Sequence, residues 1–160
     1  MNVLQNFTHN PCDTLESVFE HINTHQMADL PFNNKKLTVK AVGFSLYEND
    51  WLGVLLTPWM LSILLIPGPN RVWQAQTVGN KVGLCLPAGN FSFTYGSHKQ
   101  LGTYLACSVM SPLQNITSQV SALQLAKDVR QLITAIPTEQ IQVKDQSRRA
   151  LFGLQNKATS

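Results

Sequence analysis

The sequence predicts an α+β domain: an antiparallel sheet of about five strands, with an N-terminal helix and a long C-terminal helix packed on one face of it. Three observations carry this prediction. Short extended segments joined by turn residues fill the middle of the chain. Helical periodicity is confined to its two ends. Trp51 to Ile66 carries no charge yet is interrupted by Pro58, so it reads as two buried extended segments and not as a helix. The 160 residues suffice for one domain with a proper core. The expected boundary lies at 137, with 138–160 a basic, flexible tail.

The first helix opens at Asp13, with Glu16 three residues on as a capping-box variant. Leu15, Val18, Phe19 and Ile22 follow at helical spacing, and the helix should stop before Leu30-Pro31. Lys36 to Tyr47 alternates in polarity, and its parity changes near Val42-Gly43, which predicts a bulge. Glu48-Asn49-Asp50 is a turn, and Trp51 to Leu56 completes a hairpin. Pro67-Gly68-Pro69-Asn70 is a loop. Val82 to Leu86 is a short strand ended by Pro87-Ala88-Gly89. Phe91, Phe93 and Tyr95 alternate with polar residues in a half-buried strand, and Gly96 to Lys99 is a turn. Thr103 to Met110 is a further strand, stopped by Ser111-Pro112. Ser118 to Ala135 is the long helix, with Ile116, Val120, Leu123, Ala126, Val129, Leu132, Ile133 and Ile136 marking one face.

Composition excludes several function classes. Charged residues make up only 13% of the chain against 44% hydrophobic, which is unlike a disordered protein. The net charge is +3, but residues 1–143 are neutral, with eight basic and eight acidic side chains. The excess lies in the tail, on Lys144, Arg148, Arg149 and Lys157 against Asp145. No basic stripe for nucleic acid exists. No secretory signal is visible. The Trp51–Ile66 run would span about 24 Å as a helix, short of the roughly 30 Å that a bilayer requires. No transmembrane segment is expected. Cys12, Cys85 and Cys107 are odd in number and widely spaced, so they read as unpaired thiols in a reducing compartment, with Cys85 and Cys107 buried.

Catalytic and cofactor motifs are missing: there is no P-loop, no G-x-G-x-x-G and no G-x-S-x-G. His21 and His25 share a helix face but lack a third ligand, and they read as an exposed pair. A Cys107–His98 pair has nothing to orient it. What stands out is a set of aromatic, methionine and proline residues beside loops: Trp51, Thr57-Pro58-Trp59-Met60, Pro67-Gly68-Pro69 with Trp73, and Met110-Ser111-Pro112. Met and Trp give adaptable apolar contact surface. The same residues could equally complete the core and its turns.

These segments also carry a resemblance. Trp51-Leu52-Gly53 followed by Thr57-Pro58-Trp59-Met60-Leu61-Ser62, Pro67-Gly68-Pro69, Gly83 to Gly89, Tyr104 to Leu113 and Arg148-Arg149-Ala150-Leu151-Phe152-Gly153 are similar to the signature of the HybE/HupJ family. The similarity runs from about residue 12 to 153. The resemblance implies a cytoplasmic, non-enzymatic chaperone for an uptake [NiFe]-hydrogenase, with no cofactor of its own. It implies as partners the small-subunit precursor with its twin-arginine signal, and the large subunit as a further candidate. Some members carry a rubredoxin domain. This chain has no Cys-x-x-Cys pair, so iron binding is not carried over.

A receptor for a twin-arginine signal needs an apolar groove and acceptors for guanidinium groups. The Trp51–Trp73 region is the expected apolar part, and Glu48 and Asp50 the expected acceptors. The tail residues Arg148, Arg149 and Phe152 sit in a stretch that itself resembles a twin-arginine core. They are expected either to occupy the chain's own groove or to anchor through Leu151 and Phe152 while the arginines stay in water. A carrier of a small apolar ligand, held between sheet and helix, is the competing function.

Overall fold

The computed structural model describes residues 7–135 apart from 72 and 75. The expected boundary at 137 and the tail, with Arg148, Arg149 and Phe152, lie outside the described residues. The elements run α1 (Cys12–Ile22) with a π-helical turn (Asn23–Met27), β1 (Lys40–Tyr47), β2 (Asp50–Thr57), β3 (Met60–Pro67), β4 (Lys81–Leu86), β5 (Gly89–His98), β6 (Gly102–Met110) and α2 (Gln119–Ile133). The six strands form one antiparallel sheet in the order β1-β2-β3-β6-β5-β4. The sixth strand corrects the expected five: the uncharged run folds back on itself as β2 and β3, and both belong to the sheet.

The two helices lie on opposite faces of the sheet, which corrects the expectation that they share one. Side chains alternate along a strand, so odd and even positions separate. On β2 and β3, Leu55, Leu64 and Ile66 pack with Leu15, Val18 and Phe19 of α1. Val54, Leu56 and Leu61 pack with Ala122 and Ala126 of α2, and Leu52 and Ile63 with Ile133. The central strands are therefore buried on both faces, which is why they read as a continuous apolar run and not as an alternation. The predicted bulge in β1 is present, with the register shifting between Val42 and Ser45. The shift turns Val42 toward α2 and Phe44 toward α1.

Two boundaries and one helix face differ from expectation. Asp13 does not cap α1. The helix begins at Cys12, whose N–H is bonded to Oδ1 of Asn10 at 3.0 Å. Glu16 is used elsewhere: its Oε2 accepts from the Ala41 N–H at 2.9 Å and lies 3.6 Å from Lys40 Nζ. β5 continues through Gly96 and Ser97 to His98, so the turn falls after it. On α2, Ala122, Ala126 and Ile133 are buried while Val120 and Leu132 face solvent, so the packed face is rotated from the one that apolar spacing marked. Ser118 caps this helix, its Oγ accepting from the Ser121 N–H at 3.1 Å.

Candidate functional site

The predicted partner residues fall at opposite ends of the β2–β3 hairpin. Its turn holds Thr57-Pro58-Trp59-Met60. The buried Thr57 hydroxyl accepts from the N–H groups of Trp59 and Met60 at 3.3 and 3.1 Å and donates to the Met60 carbonyl at 3.3 Å. Ser111 Oγ donates to the Trp59 carbonyl at 3.2 Å, so the β6 exit is tied to this turn. Thr57, Pro58 and Trp59 are buried and shape the turn from within. Met60 is half-buried, while Met110, Ser111 and Pro112 are exposed.

Trp51, Pro67, Gly68, Pro69 and Trp73 lie at the far end of the hairpin, where Trp51 pairs with Ile66 and Asp50 with Pro67. The two groups are about six residues apart along a strand, roughly 20 Å. They cannot form one contiguous patch. Pro67 and Gly68 are buried there, and Trp51, Pro69 and Trp73 half-buried. Trp51 spends its indole N–H on the Phe7 carbonyl at 2.9 Å.

Asp50 organises this end. Its carboxylate is nearly closed off from solvent. It accepts from Arg71 Nε at 2.9 Å and Arg71 Nη2 at 3.2 Å, from the Gly68 N–H at 3.1 Å and from Trp73 Nε1 at 3.3 Å. The fork also raises the Arg71 guanidinium above its ordinary range. Asp50 is thus a guanidinium acceptor, as expected, but the guanidinium is the chain's own. Glu48 remains exposed, in a two-residue turn where Glu48 and Asn49 take φ values of 50° and 73°.

Two concavities adjoin these residues. One, of about 210 Å³, lies where the β1–β2 turn meets β4 and is lined by Tyr47, Glu48, Asp50, Arg71, Cys85 and Phe93 among others. The other, about 250 Å³, is lined only by apolar residues: Ile63, Ala88, Phe91, Val109, Val129, Leu132 and Ile133. Its rim is exposed at Val109 and Leu132, and Met110 follows Val109 on β6. Arg71, Cys85, Val109 and Leu132 were missed as site residues. Cys85 and Val109 both lie inside stretches that carry the family resemblance. Leu132 carried a signal too, since it stood on the apolar face of a helix that had Ile133 beside it.

Cys85 is exposed, against expectation, because β4 is the outermost strand of the sheet and odd positions there turn outward. Cys12 and Cys107 are partly buried, and burial pushes both thiols up from their ordinary value. Less thiolate therefore exists on these two at neutral pH. Alkylation at pH 7.5 should modify Cys85 first, by about tenfold or more, with the Cys107 rate still climbing well into alkaline pH; peptide mapping after timed quenching checks this.

The histidine pair stacks at 4.0 Å between ring centroids and is exposed. No group of three His, Cys, Asp or Glu among the described residues could hold a metal. His98 pairs with Gly102, and Cys107 lies five residues further along β6, about 16 Å away, too far for a nucleophilic pair. No helix among the described residues is long and apolar enough to cross a membrane.

Comparison with known proteins extends the resemblance. Residues 10–154 match the family model described as "[NiFe]-hydrogenase assembly, chaperone, HybE". The chain is 36% identical over 146 residues to the Hydrogenase-2 operon protein HybE of Escherichia coli strain K12, covering 91% of this chain and 90% of that one. It is 33% identical over 141 residues to the hydrogenase expression/formation protein HupT of Azotobacter chroococcum mcd 1, covering 88% and 92%. The solution structure of HybE from Escherichia coli superposes with a TM-score of 0.71 at 35% identity, covering 86% of this chain and 85% of that one.

Proposed function

The chain belongs to the HybE family of [NiFe]-hydrogenase assembly chaperones, and from that premise we propose that it binds the precursor of a hydrogenase small subunit, engages its twin-arginine signal and holds back export until assembly is complete. We further propose that it does so in the cytoplasm and without catalysing a reaction. The observation that carries this reading is the apolar groove beside α2. An all-apolar trough with exposed rim residues suits the apolar run of a signal peptide. Next to β4, the exposed Glu48 supplies an acidic group in the second cleft, where Asp50 is already paired with Arg71.

Carriage of a small apolar ligand fits less well. Drug-sized ligands usually occupy about 300–1,000 Å³ and are largely enclosed, whereas this groove is smaller and lies open along Leu132.

The test is capture of hydrogenase subunits by the tagged protein from cells, repeated with the small subunit's twin-arginine signal deleted. Capture of the small subunit only with its signal present is the expected result. Capture regardless of the signal would replace it with a chaperone of the folded subunit or of the subunit pair. Capture of the large subunit alone, or of neither, would overturn the proposal.

A further inference from the structure

The two edges of the sheet are treated differently. At β1 three backbone groups off the ladder are met by side chains. Glu16 Oε2 accepts from the Ala41 N–H, Arg130 Nε donates to the Gly43 carbonyl at 2.8 Å, and Asn10 Nδ2 donates to the Phe44 carbonyl at 2.8 Å. Two of these three come from α1 and α2, which cover the middle of that edge. This is how proteins blunt an edge strand.

β4 has no such plug among the described residues. Its pairing with β5 keeps one register from Lys81↔Thr94 to Leu86↔Gly89, across a two-residue turn. The Tyr95 N–H bonds the Asn80 carbonyl at 2.9 Å. Bonded pairs alternate in an antiparallel ladder, so Val82, Leu84 and Leu86 bond β5. The N–H and C=O groups of Lys81, Gly83 and Cys85 point away from the sheet. All three residues are exposed, and a methyl group placed on Gly83 would meet nothing within 4 Å. β4 has no bulge or proline, and its one charged residue is the exposed Lys81 at its start, away from the Cys85 end.

We propose that β4 is a docking edge at which an extended segment of the hydrogenase client adds as a seventh strand. This rests on the small-subunit reading above and gives it a place. Two features point to a client segment with a basic residue. Glu48 is an exposed carboxylate in the cleft at the Cys85 end of the strand, while its neighbour Asp50 is already saturated by Arg71. Ala88, in the turn that follows β4, lines the apolar groove, so edge and groove are continuous. A segment that joins basic and apolar residues meets Glu48, the outward peptide groups and the groove in one extended stretch.

The experiment uses the full chain and a synthetic twin-arginine signal peptide of a hydrogenase small subunit. Binding should slow amide exchange at Lys81, Gly83 and Cys85 by at least tenfold. Gly83→Pro removes the central outward N–H but no bond to β5, since edge positions facing away from the sheet tolerate proline. It should weaken the peptide at least tenfold. A peptide with alternate backbone amides methylated should lose binding to the same degree, a readout that does not depend on the variant folding.

Undiminished binding by Gly83→Pro and by the methylated peptide would overturn the edge and leave the signal-peptide reading standing. No binding of the peptide by the unaltered protein would overturn both. Protection of the three amides before peptide is added would assign the edge to another occupant. If it grows with protein concentration, that occupant is a second copy; if it disappears on deletion of 138–160, it is the chain's own C-terminal segment.

Discussion

Asp50→Ala is expected to lower stability by about 3 kcal/mol, summing the losses as follows. The largest loss is at Gly68. Its N–H is buried and bonds Asp50 Oδ1 at 3.1 Å, and a buried donor left without a partner costs about 1–3 kcal/mol. Trp73 Nε1 loses its acceptor as well. The Arg71 fork contributes least. That side chain is 44% exposed, so water replaces much of what it loses. In a domain of this size, about 3 kcal/mol corresponds to a fall in Tm of roughly 10 °C. Asp50→Asn keeps an oxygen for Gly68 and should cost about 1 kcal/mol. Arg71→Ala should fall between the two, because it leaves the nearly closed-off Asp50 carboxylate without its counter-charge. Thermal unfolding of the three variants should rank Asp50→Ala worst and Asp50→Asn mildest. An alanine variant as stable as the unaltered protein would mean that Asp50 does not hold this end of the hairpin together.

Gly53→Val should be comparably severe, at about 3 kcal/mol. Gly53 sits in the middle of β2, where a residue without a side chain would ordinarily weaken the strand. Its reason is the Phe44 ring. A Cβ on Gly53 would come within 2.4 Å of two atoms of that ring. The ring is not a flexible end that can swing away, because Phe44 is buried in the cluster that holds α1 to the sheet. Its carbonyl is also anchored by Asn10 at 2.8 Å. The added volume must displace Phe44, and with it the seat of α1. Gly53→Val should therefore lower Tm by roughly 10 °C and raise amide exchange in α1 more than in α2. Equal loosening of both helices would place the strain elsewhere. The Trp51-Leu52-Gly53 triplet that carried the family resemblance thus has a packing reason at its glycine.

Several features were legible from residue order alone. The break in the uncharged run at Pro58 marked a hairpin turn, and the parity change at Val42-Gly43 marked the β1 bulge, because both depend on local backbone geometry. Ser118 and the α2 pattern located the second helix. The family was legible too, since its signature lies in the order and spacing of turn and strand residues along one chain.

Other features were decided only by tertiary structure. Asp13 and Glu16 satisfy a local capping pattern, yet Glu16 serves a strand distant in sequence, which no helix rule encodes. Val120 and Leu132 have core-like spacing but face solvent, because the sheet meets α2 along the Ala122–Ala126–Ile133 line. Cys85 looked buried within an apolar pentapeptide, and strand order placed it on the rim. Asp50 looked like an open acceptor until Arg71, Gly68 and Trp73 closed around it. Periodicity reports which residues share a face of an element, while the identity of whatever covers that face depends on contacts between residues far apart in the chain. The sequence therefore determined most of the strands, both helices and the family. The three-layer arrangement, the saturated Asp50 and the β4 edge, without a plug among the described residues, were settled only when those distant parts met.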